Sequence, residues 1–185
     1  MPYRCLKQQI FEEGPYKILP IREEDLGLIK EWRNDQISIL RQNKLLTDED
    51  QKLYWKNVLE PSFNEERPAQ VLFSFLKEDL LIGYGGLTHV DWSANRGEVS
   101  FLLETLRAGD STNYLNEFSL FLRLLKLVVF EVMKFHRMFA ETYDVRPTHI
   151  AALENFGFIF EGRLKDHVKI EGKYYDSLIH GWVEK

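Results

Sequence analysis

The sequence has a single cysteine, Cys5, in 185 residues, and it has no excess of basic residues. One cysteine excludes an internal disulfide and a cysteine metal cluster, which favours a reducing cytoplasm. The net charge is −5, from 24 basic and 29 acidic side chains. Without a basic tail, this balance argues against nucleic acid as the principal partner. We therefore expect a cytoplasmic protein that does not act on nucleic acid.

The sequence also lacks a long uninterrupted hydrophobic run. Its most apolar segment, residues 120–133, is broken by three charged residues, and spanning a bilayer requires roughly 20 apolar residues. The first ten residues lack the apolar core of a signal peptide. We therefore expect no membrane contact. Residues are 44% hydrophobic and 14% aromatic, which is sufficient for a sizeable core. We expect a single domain over residues 1–185, with residues 1–15 as an N-terminal arm.

Periodic patterns predict a mixed α/β (α+β) domain. Alternation of apolar and polar residues predicts strands at 16–20, 71–76, 80–92, 95–103, 136–143, 158–170 and 174–183. Apolar residues at helical spacing predict helices at 22–34, 47–60, 114–135 and 147–156. The expected architecture is a mixed, mostly antiparallel sheet of about seven strands with about four helices.

The strand at 95–103 and the loop after it combine two features of a catalytic site, a place for an anion and a candidate base. The loop, residues 104–113, leads into the helix predicted from Tyr114. A helix N-terminus presents free backbone N–H groups, which favour an anionic ligand such as a phosphate. Glu98 lies in the strand, where a carboxylate could take a proton from a substrate bound beside that ligand. The sequence thus predicts an anion site next to a candidate base.

Five short motifs carry a resemblance to a known family. They read WRN at 32–34, IGYGGL at 82–87, LENFGF at 153–158, EGRLKDH at 161–167 and GKYYD at 172–176. Their order and spacing, with the order of elements, resemble the GNAT N-acetyltransferases, particularly the branch that modifies ribosomal proteins and amino sugars. The resemblance covers roughly residues 16–184.

The resemblance implies a co-substrate and a place for it. Acetyl-CoA would donate an acetyl group to a primary amine by direct attack, without a covalent intermediate or a metal. The strand at 95–103 would splay from its neighbour to admit the pantetheine arm. The thioester would then contact backbone groups of Val99, Phe101, Leu102 and Leu103.

The family places the pyrophosphate on a loop with the pattern Q/R-x-x-G-x-G/A, and this sequence is glycine-poor there. The corresponding candidates are Arg107, Gly109 and Asn113. Asp110 would repel the pyrophosphate if it pointed inward. Arg146 replaces an asparagine that contacts the cofactor in the family, and it is a further candidate to meet a phosphate.

Two catalytic roles are expected by resemblance. N-acetyl transfer requires a neutral amine, and Glu98 is the predicted base; alternatively, it faces water or pairs with Arg96. Leu153 stands where many family members have an acid tyrosine. Tyr143 is therefore the candidate acid; the alternatives are a water as the acid and Tyr143 as a packing residue.

The acceptor side is predicted from the first helix and from the EGRLKDH motif. Trp32, Arg33 and Asn34 are expected to border the acceptor site, although core packing of Trp32 is an equal alternative. His167 is expected to line the acceptor pocket. The acceptor is expected to be a nucleotide-linked amino sugar in surface polysaccharide synthesis, or else the N-terminus of a protein.

The remaining expectations concern metal binding, the oligomeric state and a rival function. The other histidines lack the spacing of a metal-ligand set and are predicted to lie at strand ends or on the surface: His89, His136, His149 and His180. No metal is expected, and the oligomeric state is expected to be monomer or homodimer. A rival hypothesis is that a GNAT-like fold has lost catalysis and acts as a binding module.

Overall fold

Strand order in the sheet follows chain order until the last two strands. The computed structural model describes residues 1–184, and the sheet order is β1-β2-β3-β4-β5-β6-β8-β7. The strands are β1 (Phe11–Glu13), β2 (Tyr16–Pro20), β3 (Val71–Lys77), β4 (Leu80–Asp91), β5 (Arg96–Leu103), β6 (Arg137–Tyr143), β7 (Ile159–Ile170) and β8 (Lys173–Val183). Only β5 and β6 pair in parallel. The predicted mixed, mostly antiparallel sheet is confirmed, with eight strands within residues 1–184 instead of about seven.

The additional strand, β1, lies in the segment predicted as an arm. It pairs with β2, and Tyr3, Leu6 and Phe11 are buried in the core. The Tyr3 hydroxyl accepts from the Leu72 N–H at 2.9 Å and donates to the Leu72 carbonyl at 3.1 Å. The arm is therefore packed onto the domain. A strand of three residues is too short to show a period in the sequence.

The helices follow the predicted positions, with two short additions. They are α1 (Leu26–Asp35), α2 (Asp48–Tyr54), α3 (Glu60–Asn64), α4 (Thr105–Ala108), α5 (Ser111–Lys126) and α6 (Pro147–Phe156). Wider π-helical turns, Trp55–Leu59 and Leu127–Val132, continue α2 and α5. None of the helices within residues 1–184 is long and apolar enough to cross a membrane.

The start of α5 differs from the prediction and affects the site. The helix begins at Ser111, three residues before Tyr114. Asp110 caps it, since its carboxylate accepts from the N–H groups of Thr112 at 2.8 Å and Asn113 at 3.0 Å. The cap therefore occupies backbone N–H groups at the helix N-terminus, where a phosphate was predicted to bind.

The aromatic core determines which way β5 turns its side chains. Phe101 stacks on Phe118 of α5, with ring centroids 4.6 Å apart. Phe75 and Phe121 complete this cluster, and all four rings are buried. Because successive strand residues point to opposite faces, Glu98 and Ser100 face away from α5. The core packing therefore directs Glu98 toward the other face of the sheet, where α1 and α2 lie beside β5.

Close contact between β3 and β4 makes Gly86 a sensitive position. Its φ is +149°, and a Cβ built there would overlap the Val71 carbonyl oxygen. Gly86→Ala should lower the free energy of unfolding by about 3 kcal/mol, because the strand backbones must separate. Gly27→Ala is the matched control: a Cβ in α1 meets open space, so stability should rise by about 0.5 kcal/mol. Urea unfolding measures both, and equal effects would contradict the prediction.

Candidate active site

A gap opens in the sheet where β5 and β6 diverge. Their parallel pairing covers three residue pairs and ends at Glu98 and Phe139. The Glu104 N–H donates to the Ile82 carbonyl of β4 at 2.8 Å. Alternate residues of a strand direct their N–H and C=O groups to opposite sides. Since Glu104 bonds to β4, the N–H and C=O groups of Phe101 and Leu103 point away from β4 into the gap. The predicted splay of this strand is therefore present.

The four residues predicted to contact the thioester differ in orientation. Phe101 and Leu103 direct backbone groups into the gap, and the Leu103 carbonyl accepts from Gln36 Nε2 at 2.9 Å. Leu102 turns its backbone toward β4, where it pairs with Tyr84. Val99 lies where the two strands begin to separate. The gap-facing backbone of Phe101 and Leu103 therefore best fits the predicted role.

Glu98 lies beside the gap, and its side chain is buried and paired. It is 7% exposed. Its Oε1 is 2.8 Å from Arg41 Nη2, and its Oε2 is 2.7 Å from His89 Nδ1. The two alternative predictions for Glu98, exposure to water and pairing with Arg96, are wrong. Glu98 does not face water, and Arg96 pairs with Asp91 instead. Glu98 is a buried carboxylate held between a guanidinium and an imidazole.

Arg41 links the two diverging strands. This residue lies between α1 and α2, and its Nη2 is 3.0 Å from Glu141 Oε2 on β6. Burial opposes its charge, but the carboxylates of Glu98 and Glu141 raise the pKa of Arg41 overall. His167, a predicted pocket residue, lies 3.6 Å from Glu141 Oε1. Arg41 was not predicted from the sequence, because its loop shows no periodicity.

Tyr143 ends β6 and lines the same cavity as Glu98. This cavity has a volume of about 220 Å³ and also contains Arg41 and Glu141. Burial raises the pKa of Tyr143, and the nearby charge of Arg41 opposes the rise. Leu153, at the family's acid position, is fully buried. Tyr143 is therefore placed within the site, and its role as the acid remains a prediction.

A second cavity of about 280 Å³ shares Arg33, Thr88 and Ser100 with the Glu98 cavity. Arg33 donates from Nη1 to the Tyr84 hydroxyl at 2.7 Å and from Nε to Gln42 Oε1 at 3.0 Å. No carboxylate among the described residues is within salt-bridge distance of it. Arg33 is thus a partly buried cation without an anionic partner.

Gln70 adds an unpaired donor to this second cavity. Its Oε1 accepts from the Tyr54 hydroxyl at 3.0 Å. Its Nε2 is buried and has no hydrogen-bond partner within the described chain. Buried amide N–H groups are rarely left without an acceptor. The sequence offered no signal for Gln70, because a lone glutamine before a strand has many possible surroundings.

The other two residues of the WRN motif support the structure near this cavity. Trp32 is 7% exposed and packs in the hydrophobic core. The Asn34 side chain accepts from the Leu46 N–H at 2.8 Å and donates to the Leu46 carbonyl at 2.9 Å. Trp32 and Asn34 therefore do not reach the cavity, and Arg33 does.

A third cavity, of about 350 Å³, lies on the predicted phosphate side. Gly109, Tyr114, Arg146 and His149 line it, and the last two also line the Glu98 cavity. Gly109 and Arg146 thus lie together in one cavity, and their contact with the cofactor stays a prediction. Asn113 is not available through its backbone, since Asp110 already accepts its N–H.

Arg107 is also engaged within the protein. Its Nη1 is 2.8 Å from Glu117 Oε1, and its Nε is 2.8 Å from Glu104 Oε2. Glu117 is buried in α5, with 3% exposure. The expectation that Arg107 binds pyrophosphate therefore conflicts with its position, because the guanidinium already neutralises a buried carboxylate.

Replacing Arg107 should affect stability more than a surface salt bridge does. Arg107→Ala leaves Glu117 buried without its close cation, and we expect a loss of about 3 kcal/mol in the free energy of unfolding. Arg123→Ala is the control, because Arg123 and Glu13 form a half-exposed pair that should contribute less than about 1 kcal/mol. Similar losses for the two variants in denaturant unfolding would disprove this assignment.

His149, predicted as a strand-end or surface residue, is buried instead. The prediction is wrong because α6 turns this side chain onto Phe118, with ring centroids 4.5 Å apart. Its Nδ1 is 2.7 Å from the Tyr114 hydroxyl, which also accepts from Arg146 Nη2 at 3.1 Å. Burial, reinforced by the charge of Arg146, lowers the pKa of His149 well below 6.5.

The lowered pKa of His149 predicts how stability depends on pH. Below pH 6.5 the unfolded chain protonates this imidazole and the folded chain does not, so acid favours unfolding. The free energy of unfolding should fall by up to about 1.4 kcal/mol per pH unit on this account. His149→Gln should remove that part of the slope, whereas His136→Gln, at an exposed histidine, should not. Unfolding curves between pH 7 and pH 5 measure the difference, and parallel slopes would contradict it.

Comparisons with known proteins give a matching family model and similar solved structures. A family model described as acetyltransferase (GNAT) domain matches residues 18–179. No curated protein sequence gives a significant match. The structure of spermidine N-acetyltransferase from Vibrio cholerae with CoA and spermine is similar, with a TM-score of 0.76, 17% identity, and coverage of 92% of this chain and 96% of that chain. Ribosomal-protein-S5-alanine acetyltransferase from Vibrio fischeri has a TM-score of 0.71, 16% identity, and coverage of 95% and 97%.

Proposed function

The chain belongs to the GNAT acetyltransferase family, and on this premise we propose that it acetylates the amino group of a nucleotide-linked amino sugar. The family assignment makes the chain an N-acetyltransferase that uses acetyl-CoA as its acetyl donor. The identity of the amine acceptor is the part that we propose. One observation carries it, namely the unpaired Arg33 in the cavity that adjoins the Glu98 cavity.

Arg33 favours an acceptor that carries negative charge. Its guanidinium contacts only neutral side-chain groups, Tyr84 and Gln42, within the described chain. A partly buried cation is stabilised by an anion, and the planar guanidinium is suited to phosphate. The diphosphate of a nucleotide-linked sugar would supply that anion, whereas a polyamine has none to offer.

The rest of this cavity favours hydroxyl groups. Gln70, Tyr54 and Tyr84 line the cavity with polar side chains. Sugar hydroxyls form hydrogen bonds with amide and phenol groups. The net charge of −5 also suits a small acceptor better than an RNA-rich ribosome.

The gap between β5 and β6 and the Glu98 cavity together account for the reaction. The acceptor ammonium loses a proton in the surroundings of Glu98, and the neutral nitrogen attacks the thioester carbonyl. In this proposal the gap-facing N–H groups of Phe101 and Leu103 stabilise the negative oxygen that forms. The C–S bond then breaks, and the thiolate takes the surplus proton of the new amide nitrogen, with Tyr143 as the predicted relay.

Release of free CoA with a panel of acceptors tests this proposal. The panel consists of a nucleotide-linked amino sugar, the same sugar without its nucleotide, a peptide with N-terminal alanine, and spermidine. We expect the highest kcat/KM with the nucleotide-linked sugar and a product one acetyl group heavier. Preference for the peptide or for spermidine would overturn the acceptor class. Absence of both turnover and acetyl-CoA binding would favour the rival binding-module hypothesis.

A further inference from the structure

His89 occupies an irregular point in β4 that turns it toward Glu98. Thr88 pairs with Glu98, and Asp91 pairs with Arg96, so three steps along β4 match two along β5. This is a β-bulge, and His89 within it has a φ of +47°, which is unusual for a residue other than glycine. In a regular strand His89 would face away from Glu98, because Thr88 shares the face of Glu98.

The contact with Glu98 determines the tautomer of His89. An ionised carboxylate accepts hydrogen bonds and cannot donate them, so Nδ1 of His89 carries the hydrogen at 2.7 Å from Glu98 Oε2. The neutral imidazole then has its lone pair on Nε2. Nε2 makes no hydrogen bond to the part of the chain that the structure describes. The side chain is 69% exposed and lines the Glu98 cavity.

Glu98 itself is poorly placed to accept a proton directly. Oε1 is bound by Arg41, and Oε2 is shared by His89 and, at 3.3 Å, by Arg41 Nη1. Both carboxylate oxygens of Glu98 are therefore already engaged as hydrogen-bond acceptors. Its remaining function is to orient the imidazole and to stabilise the imidazolium, as the carboxylate does in hydrolytic triads.

We propose that Nε2 of His89 takes the proton from the acceptor ammonium, with Glu98 as the positioning residue. This inference rests on the proposed acetyl transfer and names the group that makes the amine nucleophilic. The ammonium N–H bond breaks, its electron pair stays on nitrogen, and the proton forms an N–H bond on Nε2. The imidazolium returns this proton to solvent before the next cycle. Imidazole is the side-chain group that most often acts as a general base in enzymes.

Removal and chemical rescue of the imidazole test the proposal. With the best acceptor of the panel, His89→Ala should lower kcat/KM by about 10²–10⁴-fold, and added free imidazole should restore part of it. Glu98→Gln should cause a similar loss, and the double variant should lose no more than either single variant, since the two residues act as a unit. His136→Ala, at an exposed histidine outside the site, is the control and should match wild type.

Two results would overturn the proposal and leave the proposed function intact. One is a fully active His89→Ala together with an inactive Glu98→Gln, which would show that Glu98 takes the proton itself. The other comes from NMR of the imidazole nitrogens, which needs no acceptor. We expect the Nδ1–H tautomer of His89 in wild type and loss of this preference in Glu98→Gln. The Nε2–H tautomer in wild type would contradict the inference, whereas an inactive wild type would contradict the proposed function.

Discussion

Replacing Glu98 with glutamine is expected to lower kcat/KM by about 10²–10⁴-fold near pH 7. The variant keeps the size of the side chain and removes the charge that holds both His89 and Arg41. Without that charge the imidazole loses its fixed orientation, and the ammonium keeps its proton. Acetyl-CoA affinity should change little, because Glu98 turns away from the gap-facing backbone of β5. Steady-state rates and calorimetry measure the two quantities separately.

The matched control for this variant is Glu12→Gln, at an exposed glutamate of β1. It should leave kcat/KM and acetyl-CoA affinity as in wild type. Unchanged turnover in Glu98→Gln would exclude Glu98 from proton removal, both as the base and as the residue that positions His89.

Replacing Arg33 with methionine is expected to raise KM for a nucleotide-linked amino sugar by about 10–100-fold, because a charge-assisted hydrogen bond contributes about 1.5–3 kcal/mol. Methionine retains much of the volume but no donor. KM for acetyl-CoA should change much less, since Arg33 does not line the third cavity, which contains Gly109 and Arg146. Initial rates at varied concentrations of each substrate provide both values.

Two controls accompany the Arg33 variant. Arg4→Met removes an exposed arginine that pairs with Glu66, and it should have no effect on either KM. The same amino sugar without its nucleotide should be acetylated equally by wild type and Arg33→Met. Equal losses for the two sugars would show that Arg33 does not bind the nucleotide part.

Local patterns were enough to predict most of the fold. Three features depend only on residues that are neighbours in sequence: the alternation in β5, the β7–β8 hairpin and the end of α6. The helix ends at Gly157, whose φ is +111°. The helix predicted from position 47 begins with a capping box formed by Thr47 and Asp50. The start of α5 was missed, because the strength of the Asp110 cap is a matter of side-chain geometry.

Long-range contacts explain why the site was only partly predictable. Glu98 was identified as a functional candidate, but its partner Arg41 is 57 residues away in sequence. His89 was predicted at a strand end or on the surface, and it is exposed. Its contact with Glu98 was not predicted, because a β-bulge leaves no mark on an alternating pattern. Arg107 matched the family pattern, yet its salt bridge with Glu117 depends on α4 packing against α5. Such pairings arise from tertiary structure, which sequence periods do not encode.

The most direct test of the account is calorimetric titration of the protein with acetyl-CoA. The glycine-poor loop, the Asp110 cap and the engaged Arg107 leave the β5–β6 gap, Gly109 and Arg146 to hold the co-substrate. We predict saturable one-to-one binding with a Kd between about 1 μM and 1 mM, the usual range for enzyme substrates. A titration without saturable heat up to about 1 mM acetyl-CoA would contradict the claim that this gap is an acetyl-transfer site.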